Sequence, residues 1–264
     1  MGAVVSASLG VALAAARLRF RPWVVNSHGE RLFVDPRDHR AWRLAFHRGA
    51  LDGDAISAWR RLVVGLSPSI VIDVGANYGE VLLSTDYPRG SEVHAVEANP
   101  RVARHLRRSI DRSRTAAILH ECAASSREGS ATLTLDERSS GLSTLEPAGR
   151  GEQLTVPTRT LDRLVTARGG VLLVKVEVEG HEIDVLAGMI ELLAAASQWC
   201  VLAEYRDGVH PGAALDGACV STVHIGGSGF EPSSIAAGPP DTRRFTKDVV
   251  LSSAPLAQLL ADPS

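Results

Sequence analysis

The fold of this 264-residue chain is decided by the stretch Val71-Ile72-Asp73-Val74-Gly75-Ala76-Asn77-Tyr78-Gly79-Glu80. Its first half is typical of a buried strand, and a tight glycine turn follows. We expect a helix from Gly79 to Asp86. A second strand comes next and ends on an acid, at His94-Ala95-Val96-Glu97. A glycine turn after one strand and an acid after the next are how α/β folds hold a ligand that contains adenosine.

The spacing of the glycines indicates which ligand the turn holds. A nicotinamide site requires G-x-G-x-x-G, whose extra residue lets backbone N–H groups face a pyrophosphate. Here the pattern is Gly75-x-Asn77-x-Gly79, one residue shorter, with Asp73 just before it. This resembles the D-x-G-x-G-x-G motif of S-adenosylmethionine-dependent methyltransferases, with the middle glycine replaced by asparagine. An NAD-dependent oxidoreductase is the weaker alternative.

The composition is that of an ordinary globular protein, with 45% hydrophobic and 22% charged residues. The formal net charge is −2, and no basic run alternates with aromatic residues, so nothing points to a nucleic-acid partner. The cysteines Cys122, Cys200 and Cys219 lack metal-ligand spacing, which favours reduced thiols in a cytoplasmic protein. Only two of the 28 basic residues are lysines, a usage typical of GC-rich bacterial genomes.

The apolar run from Ala3 to Ala16 is too short for a transmembrane helix, which needs about 20 residues. Its arginines follow the run, whereas those of a secretory signal precede it. We expect a helix that packs on the core or on a second subunit, which leaves a homo-oligomer open. Residues 1–66 are expected to form a helical cap that acts as a substrate lid, and residues 67–256 the cofactor-binding core.

Strand and helix patterns alternate along the core. Strands are expected at Ser69–Val74, Glu92–Glu97, Ala117–Cys122, Val171–Val178, Trp199–Ala203 and Asp248–Leu251. A helix should begin at Asn99-Pro100, another should cover residues 180–193, and two inserted strands should flank a loop at 139–144. This alternation of strands and helices predicts the α/β class, with a doubly wound, mostly parallel, seven-stranded sheet of the Rossmann-like kind found in class I methyltransferases.

Ligands of such sheets lie beyond the carboxyl ends of the strands. The candidate cofactor-binding residues are Asp73, Gly75, Asn77, Gly79, Glu97 and Ser125. The glycines allow close backbone approach, and the helix that follows should direct its N-terminus at the carboxylate of the cofactor. We expect Asp73 to hold the amino group of the cofactor and Glu97 to accept hydrogen bonds from its ribose. Ser125 lies where the adenine edge would be, although a solvated loop serine fits equally well.

The fourth strand carries an unusual set of charges, Lys175-Val176-Glu177-Val178-Glu179-Gly180-His181-Glu182. Strand alternation would place Lys175, Glu177 and Glu179 on one face, where charges are costly unless they pair or line a site. A structural ion pair between Lys175 and Glu177 explains two of the three charges. The crowding of Glu179 and His181 at the end of the strand favours a functional role.

Methyl transfer to a hydroxyl requires a proton acceptor. His181 is the expected base because histidine titrates near neutral pH, with Glu179 second and Glu177 as the third candidate. A structural hydrogen bond of His181 is the competing explanation. Alternatively, Glu177, Glu179 and Glu204 could bind a divalent cation such as Mg²⁺ that aligns two substrate oxygens.

Three segments together resemble the FkbM-type methyltransferases, namely Asp73-Val-Gly-Ala-Asn-Tyr-Gly79, Val156-Pro-Thr-Arg-Thr-Leu-Asp162 with its Thr160-Leu-Asp162 motif, and Lys175-Val-Glu-Val-Glu-Gly-His-Glu182. The resemblance covers about residues 30–252 and implies O-methylation of a hydroxyl on a small molecule, such as a sugar or another natural product. One position departs from the family, because Glu177 stands where aspartate is usual and reaches about 1.5 Å further. A non-catalytic, cofactor-binding scaffold subunit is therefore the main alternative.

Overall fold

The computed structural model describes residues 16, 18–19, 21–136, 138–145, 151–204, 211–227, 229–233 and 245–261. The strands are β1 (Trp23–Val25), β2 (Arg31–Phe33), β3 (Ile70–Val74), β4 (Glu92–Val96), β5 (Ala117–His120), β6 (Ala123–Ala124), β7 (Gly129–Leu135), β8 (Glu152–Arg159), β9 (Val171–Val176), β10 (Gln198–Glu204), β11 (Cys219–His224), β12 (Phe230–Ser233) and β13 (Phe245–Ser252). The α-helices are α1 (His39–Phe46), α2 (Gly53–Leu66), α3 (Pro100–Ile110), α4 (Leu161–Leu164), α5 (Glu182–Ala187), α6 (Ile190–Ala195) and α7 (Leu256–Leu259). Short 3₁₀ turns lie at Leu82–Ser84, Ser140–Leu142, Pro211–Ala214 and Ile225–Gly227.

The central sheet has eight strands in the order β12-β11-β13-β10-β9-β3-β4-β5. The five strands from β10 to β5 in this order run parallel, and β13 is antiparallel to its two neighbours. The predicted α/β class and mostly parallel sheet are confirmed. The expected number of seven strands was wrong, because β12 adds an antiparallel edge strand beside β11. This four-residue strand contains Pro232, which sheets tolerate at an edge, and its sequence carries no alternating pattern.

Both faces of the parallel strands are covered. Val71 of β3 and Leu173 of β9 enter one hydrophobic cluster, whereas Ile72 and Val174 enter the cluster on the other side of the sheet. Apolar burial on both faces is the usual condition of a parallel sheet, and it explains the continuous apolar runs of these strands.

From residue 21 to β3, the chain forms the antiparallel β1–β2 hairpin and the helices α1 and α2. Leu44 and Trp59 are fully buried in the same hydrophobic cluster as Val71 of β3. Residues 3–15 of the apolar run lie outside the described residues, and Leu18 just after it is buried in this cluster. The role of residues 1–66 as a substrate lid stays a prediction. Every helix in the described ranges falls short of the length and apolarity that a membrane-spanning helix needs.

The helix expected from Gly79 to Asp86 does not form. The fully described segment between β3 and β4 instead makes a series of turns and the 3₁₀ turn at Leu82–Ser84. Backbone φ is positive at three alternating positions, 75° at Gly75, 49° at Asn77 and 89° at Gly79. The left-handed conformation of Gly79 and the 3₁₀ turn that follows it replace the regular α-helix in this segment. The glycine turn therefore has no helix N-terminus behind it.

The helix expected over residues 180–193 is divided into α5 and α6 at Gly188. A Cβ at Gly188 would collide with the carbonyl oxygen of Ser125. The glycine thus allows close approach of the loop after β6, and the helical path breaks there. The two inserted strands are confirmed as β7 and β8, which join β6 in a separate three-stranded sheet.

Candidate active site

A cavity opens at the carboxyl ends of β3, β4 and β9. Its walls come from the turn after β3, the loop after β9 and the segment 138–145 between β7 and β8. Six of the sequence-predicted residues line it, namely Gly75, Asn77, Glu97, Glu177, Glu179 and His181. Asp73, Gly79, Ser125 and Glu204 lie elsewhere, and their positions are described below.

Glu97 follows β4 and is fixed by two backbone amides. Its Oε2 accepts the N–H of Asn77 at 2.9 Å, and its Oε1 accepts the N–H of Asn99 at 2.8 Å. Burial raises the pKa of Glu97, and the two amide bonds oppose that rise. A carboxylate has about four acceptor positions, so each oxygen retains one for a ligand. The group can therefore accept two hydroxyl hydrogen bonds at the cavity wall.

Asn77 connects the glycine turn to the segment 138–145. Its φ of 49° lies in the left-handed region, which asparagine tolerates better than most residues. The Asn77 Nδ2 donates to Ser140 Oγ at 3.3 Å, and the backbone N–H of Ser140 donates to Asp38 Oδ1 at 3.2 Å. The asparagine that replaces the middle glycine thus adopts the turn conformation and adds a side-chain contact that glycine could not make.

The two glycines of the motif have different surroundings. A Cβ on Gly75 would collide with the carbonyl oxygen of Glu177, so this glycine allows the turn after β3 to pack against the loop after β9. Gly79 faces Leu106 of α3 and does not line the cavity. Part of the glycine pattern is therefore explained by backbone packing alone.

Asp73 is fully buried beneath the cavity, and it pairs with Lys175. Lys175 Nζ lies 3.3 Å from Asp73 Oδ1 and 2.9 Å from Glu177 Oε2. Burial opposes the charge of Lys175, but the two carboxylates hold its pKa above the ordinary value. Lys175 in turn lowers the pKa of Glu177 to about 2. The ion pair expected between Lys175 and Glu177 is present, and Asp73 completes it.

The loop after β9 explains the rest of the charged motif. The strand ends at Val176, so Glu179 is not part of the alternation that the sequence indicated, and its φ is 54°. Glu182 is buried and accepts hydrogen bonds from the N–H groups of Val178 and Gly180, both at 3.1 Å. The last acid of the motif therefore holds the loop in shape.

His181 lines the cavity just before α5, with both ring nitrogens directed at protein groups. Its Nε2 lies 3.0 Å from Ser125 Oγ, and its Nδ1 lies 3.6 Å from Asp184 Oδ2. Asp184 also accepts a hydrogen bond of 2.6 Å from Ser126 Oγ. Ser125 thus lies behind His181 and not in the cavity wall.

Sequence reasoning missed Arg40, which α1 brings into the cavity wall. Its Nη2 donates to Glu80 Oε1 at 2.7 Å, and the two side chains are only 15% and 5% exposed. Burial opposes the charge of Arg40, but Glu80 and Glu177 hold its pKa above the ordinary value. The pair joins residues 40 positions apart in different elements, and no motif or spacing rule links them.

The Thr160-Leu-Asp162 motif is structural. Asp162 Oδ1 accepts the backbone N–H of Leu192 at 2.7 Å, which ties the short helix α4 to α6. Neither Asp162 nor Leu192 lines the cavity. The motif therefore supports the face of the sheet next to α5 without touching the site.

The divalent-cation alternative gains no support from the geometry. Glu204 ends β10 outside the cavity wall, where Lys247 Nζ lies 3.9 Å from its Oε1. Glu177 is already paired with Lys175. Among the described residues, no group of three His, Cys, Asp or Glu side chains is arranged to ligate a metal. Glu177, Glu179 and Glu204 are thus not assembled as a ligand set.

Several solved structures resemble this chain in fold at low sequence identity. The precorrin-6y C5,15-methyltransferase of Geobacter metallireducens GS-15 is 12% identical, with 75% of this chain and 84% of that chain covered and a TM-score of 0.37. The tRNA (uracil-54, C5)-methyltransferase of Pyrococcus abyssi, in complex with S-adenosyl-L-homocysteine, is 9% identical, with coverages of 88% and 44% and a TM-score of 0.44. A predicted O-methyltransferase of Agrobacterium tumefaciens is 12% identical, with coverages of 76% and 81% and a TM-score of 0.41.

No curated protein sequence matches the chain. The sequence profile of the methyltransferase FkbM domain matches residues 73–210, which is just over half of the chain. The match begins at Asp73, runs through the glycine turn and Glu97, and includes the loop after β9. On this evidence the chain belongs to the FkbM methyltransferase domain family.

Proposed function

We propose that the protein is an S-adenosylmethionine-dependent O-methyltransferase of the bacterial cytoplasm. Its substrate would be a hydroxyl of a small molecule, such as a sugar unit or an intermediate of natural-product biosynthesis. One observation carries the proposal, namely the Glu97 carboxylate held by the N–H groups of Asn77 and Asn99 at the wall of the cavity. A ribose diol matches the two acceptor positions that these bonds leave open.

The charge of the cavity wall also fits this cofactor. The described wall carries three glutamates, Glu97, Glu177 and Glu179, against the single guanidinium of Arg40. When bound, S-adenosylmethionine supplies a methyl group on a positively charged sulfonium. An excess of carboxylates favours this cation over S-adenosylhomocysteine, which has lost the sulfonium charge. The same residues would thus bind the methyl donor more tightly than the product.

The protein must also accept the proton of the substrate hydroxyl. Glu177 is a weak base because Lys175 lowers its pKa to about 2. His181 lines the cavity, and a proton on its Nδ1, which lies 3.6 Å from Asp184 Oδ2, would leave Nε2 as the acceptor. The Ser125 hydroxyl lies at that acceptor position, 3.0 Å away. We therefore assign His181 as the base, with its ring turned so that Nε2 leaves Ser125 and faces the substrate hydroxyl in the cavity, and Asp184 as the positioning residue beside Nδ1.

Calorimetric titration of the full chain tests the cofactor assignment. S-adenosylhomocysteine is expected to bind in the micromolar range, and NAD run beside it should give no heat of binding. Absence of binding by S-adenosylhomocysteine would overturn the proposal, and binding of NAD would support the oxidoreductase alternative instead.

Methyl transfer to a panel of hydroxylated sugars and natural products then tests the reaction. Transfer to one or more acceptors is expected. Tight cofactor binding without transfer to any of them would favour the non-catalytic scaffold subunit.

A further inference from the structure

The proposed cofactor carries a carboxylate that needs a partner in the cavity. The sequence led us to expect a helix N-terminus behind the glycine turn for this role. That helix does not form, because the segment after Gly79 makes turns and the 3₁₀ turn at Leu82–Ser84. The anionic end of the cofactor must therefore be held by a different group. This inference rests on the proposed function and extends it to one residue.

Arg40 is the one lysine or arginine in the described part of the cavity wall. Lys175 does not line the cavity, and the carboxylates of Asp73 and Glu177 flank its ammonium group. The acidic side chains of the wall, Glu97, Glu177 and Glu179, would repel an anion. A ligand carboxylate that enters this cavity thus has a single cationic group to meet.

The guanidinium of Arg40 is held in place and retains unused donors. Nη2 is bonded to Glu80, but the buried Nε has no hydrogen-bond partner among the described residues. A Cβ on Gly141 would collide with Nη1 of Arg40, so Gly141 makes room for the guanidinium in the wall. An arginine carries five N–H donors in a planar fork that matches a carboxylate, and the bond to Glu80 uses one of them.

We propose that Arg40 binds the carboxylate of the amino-acid part of the cofactor. The residue comes from α1 and lies before residues 73–210, the range that matches the family profile. The cofactor site of this chain would then be completed by a helix outside the family-defining region.

Two related ligands isolate this contact in calorimetric titrations. S-adenosylhomocysteine has the carboxylate, whereas its decarboxylated analogue keeps the amino group and lacks only the carboxylate. Arg40→Gln is expected to weaken binding of S-adenosylhomocysteine by about 10- to 100-fold, because hydrogen bonds to charged groups are the strong ones. The affinity of the variant for the decarboxylated analogue should stay within about twofold of that of the wild type, since the analogue cannot use Arg40.

Two further variants separate binding from folding. Arg40→Gln leaves the buried Glu80 without its partner, so Arg40→Gln/Glu80→Gln removes both charges together. This double variant should show the same selective loss for S-adenosylhomocysteine. Arg37→Gln is the matched control, because Arg37 is 84% exposed, pairs with Asp35 and does not line the cavity. It should leave both affinities unchanged.

The results distinguish this inference from the proposed function. If the wild type binds both ligands and the Arg40 variants lose both equally, Arg40 only shapes the cavity and the inference fails alone. If the variants lose affinity for neither ligand, Arg40 does not contribute to binding, and the inference again fails alone. If the wild type binds neither ligand, the proposed function fails and this inference fails with it.

Discussion

The carboxylate of Glu97 accepts the backbone N–H of Asn77 at 2.9 Å. This bond joins the acid after β4 to the glycine turn after β3, so the two sequence features that point to an adenosine site contact each other directly. The bond also explains why the acid is buried and yet faces the cavity. A second amide, from Asn99 at the start of α3, holds the other oxygen.

Replacing Glu97 tests its place in the cofactor site. Glu97→Gln is expected to weaken S-adenosylhomocysteine binding by about 10- to 100-fold, because a charged acceptor that contributes about 1.5–3 kcal/mol is lost. Calorimetry measures the affinity, and Glu121→Gln, a surface variant whose parent residue pairs with Arg107, serves as the control. An unchanged affinity of the Glu97→Gln variant would contradict the assignment of Glu97 as the residue that binds the ribose.

The assignment of His181 as the base predicts a loss of turnover without a loss of binding. His181→Ala should lower kcat by about 10²- to 10⁴-fold, the usual contribution of a positioned base. The affinity for S-adenosylhomocysteine should change little. Single-turnover methyl transfer to an acceptor from the panel measures the effect, and Asp184→Asn should show a smaller loss because it acts only through the ring. Full activity of His181→Ala would contradict the assignment.

The ion pair between Lys175 and Glu177 predicts a pH dependence of stability. The folded-state pKa of Glu177 is lowered from 4.5 to about 2, so its contribution is present above 4.5 and is lost as the pH falls toward 2. Glu177→Gln should therefore lower Tm at about pH 7 more than at about pH 3, where the wild type has lost part of the same contribution. Thermal unfolding at both pH values measures this, with the surface variant Glu152→Gln as the control. An equal difference at both pH values would show that the pair does not stabilise the fold.

Alanine substitutions at Gly75 and Gly90 distinguish the energetic cost of backbone strain from the cost of a steric collision. Both have positive φ, 75° and 91°, but a Cβ on Gly75 would meet the Glu177 carbonyl whereas one on Gly90 would meet nothing within 4 Å. Gly90→Ala should cost about 1–2 kcal/mol of unfolding free energy from strain alone. Gly75→Ala should cost about 1–3 kcal/mol more from the collision. Urea unfolding compares the two, and equal losses would mean that the turn relaxes away from Glu177.

The sequence predicted those parts of the fold and site that local pattern determines. Apolar runs identified β3 and β4, and the cap at Asn99 identified α3, because each signal lies within a few residues. The expected helix after Gly79 was wrong, because Gly79 is left-handed and the segment continues as turns and the 3₁₀ turn at Leu82–Ser84. The side chain of Asp73 is buried and lies 3.3 Å from Lys175, its partner on the neighbouring strand β9. That contact depends on strand order, which a sequence pattern does not contain.

The site residues that the sequence patterns did not identify were missed for one physical reason. Arg40 and Glu80 meet across 40 positions, and Ser140 meets Asp38 across 102. Such pairs arise from how the sheet, the helices and the inserted hairpin pack, and no periodicity encodes them. In the motif that begins at Lys175, the expected ion pair with Glu177 is present, but Glu179 does not share the strand face, because the strand ends at Val176 and a loop held by Glu182 follows.

The contacts of Ser140 have a consequence for the order in which the molecule assembles. Asn77 reaches Glu97 across 20 residues, whereas Ser140 reaches Asn77 across 63 and Asp38 across 102. Chain closure costs more entropy at longer separation, so the contact between Asn77 and Glu97 should form before the wall at Ser140 closes. A refolding chain would then build the Glu97 side of the site before the Ser140 side, and it would regain the capacity to bind a ligand only when both are in place.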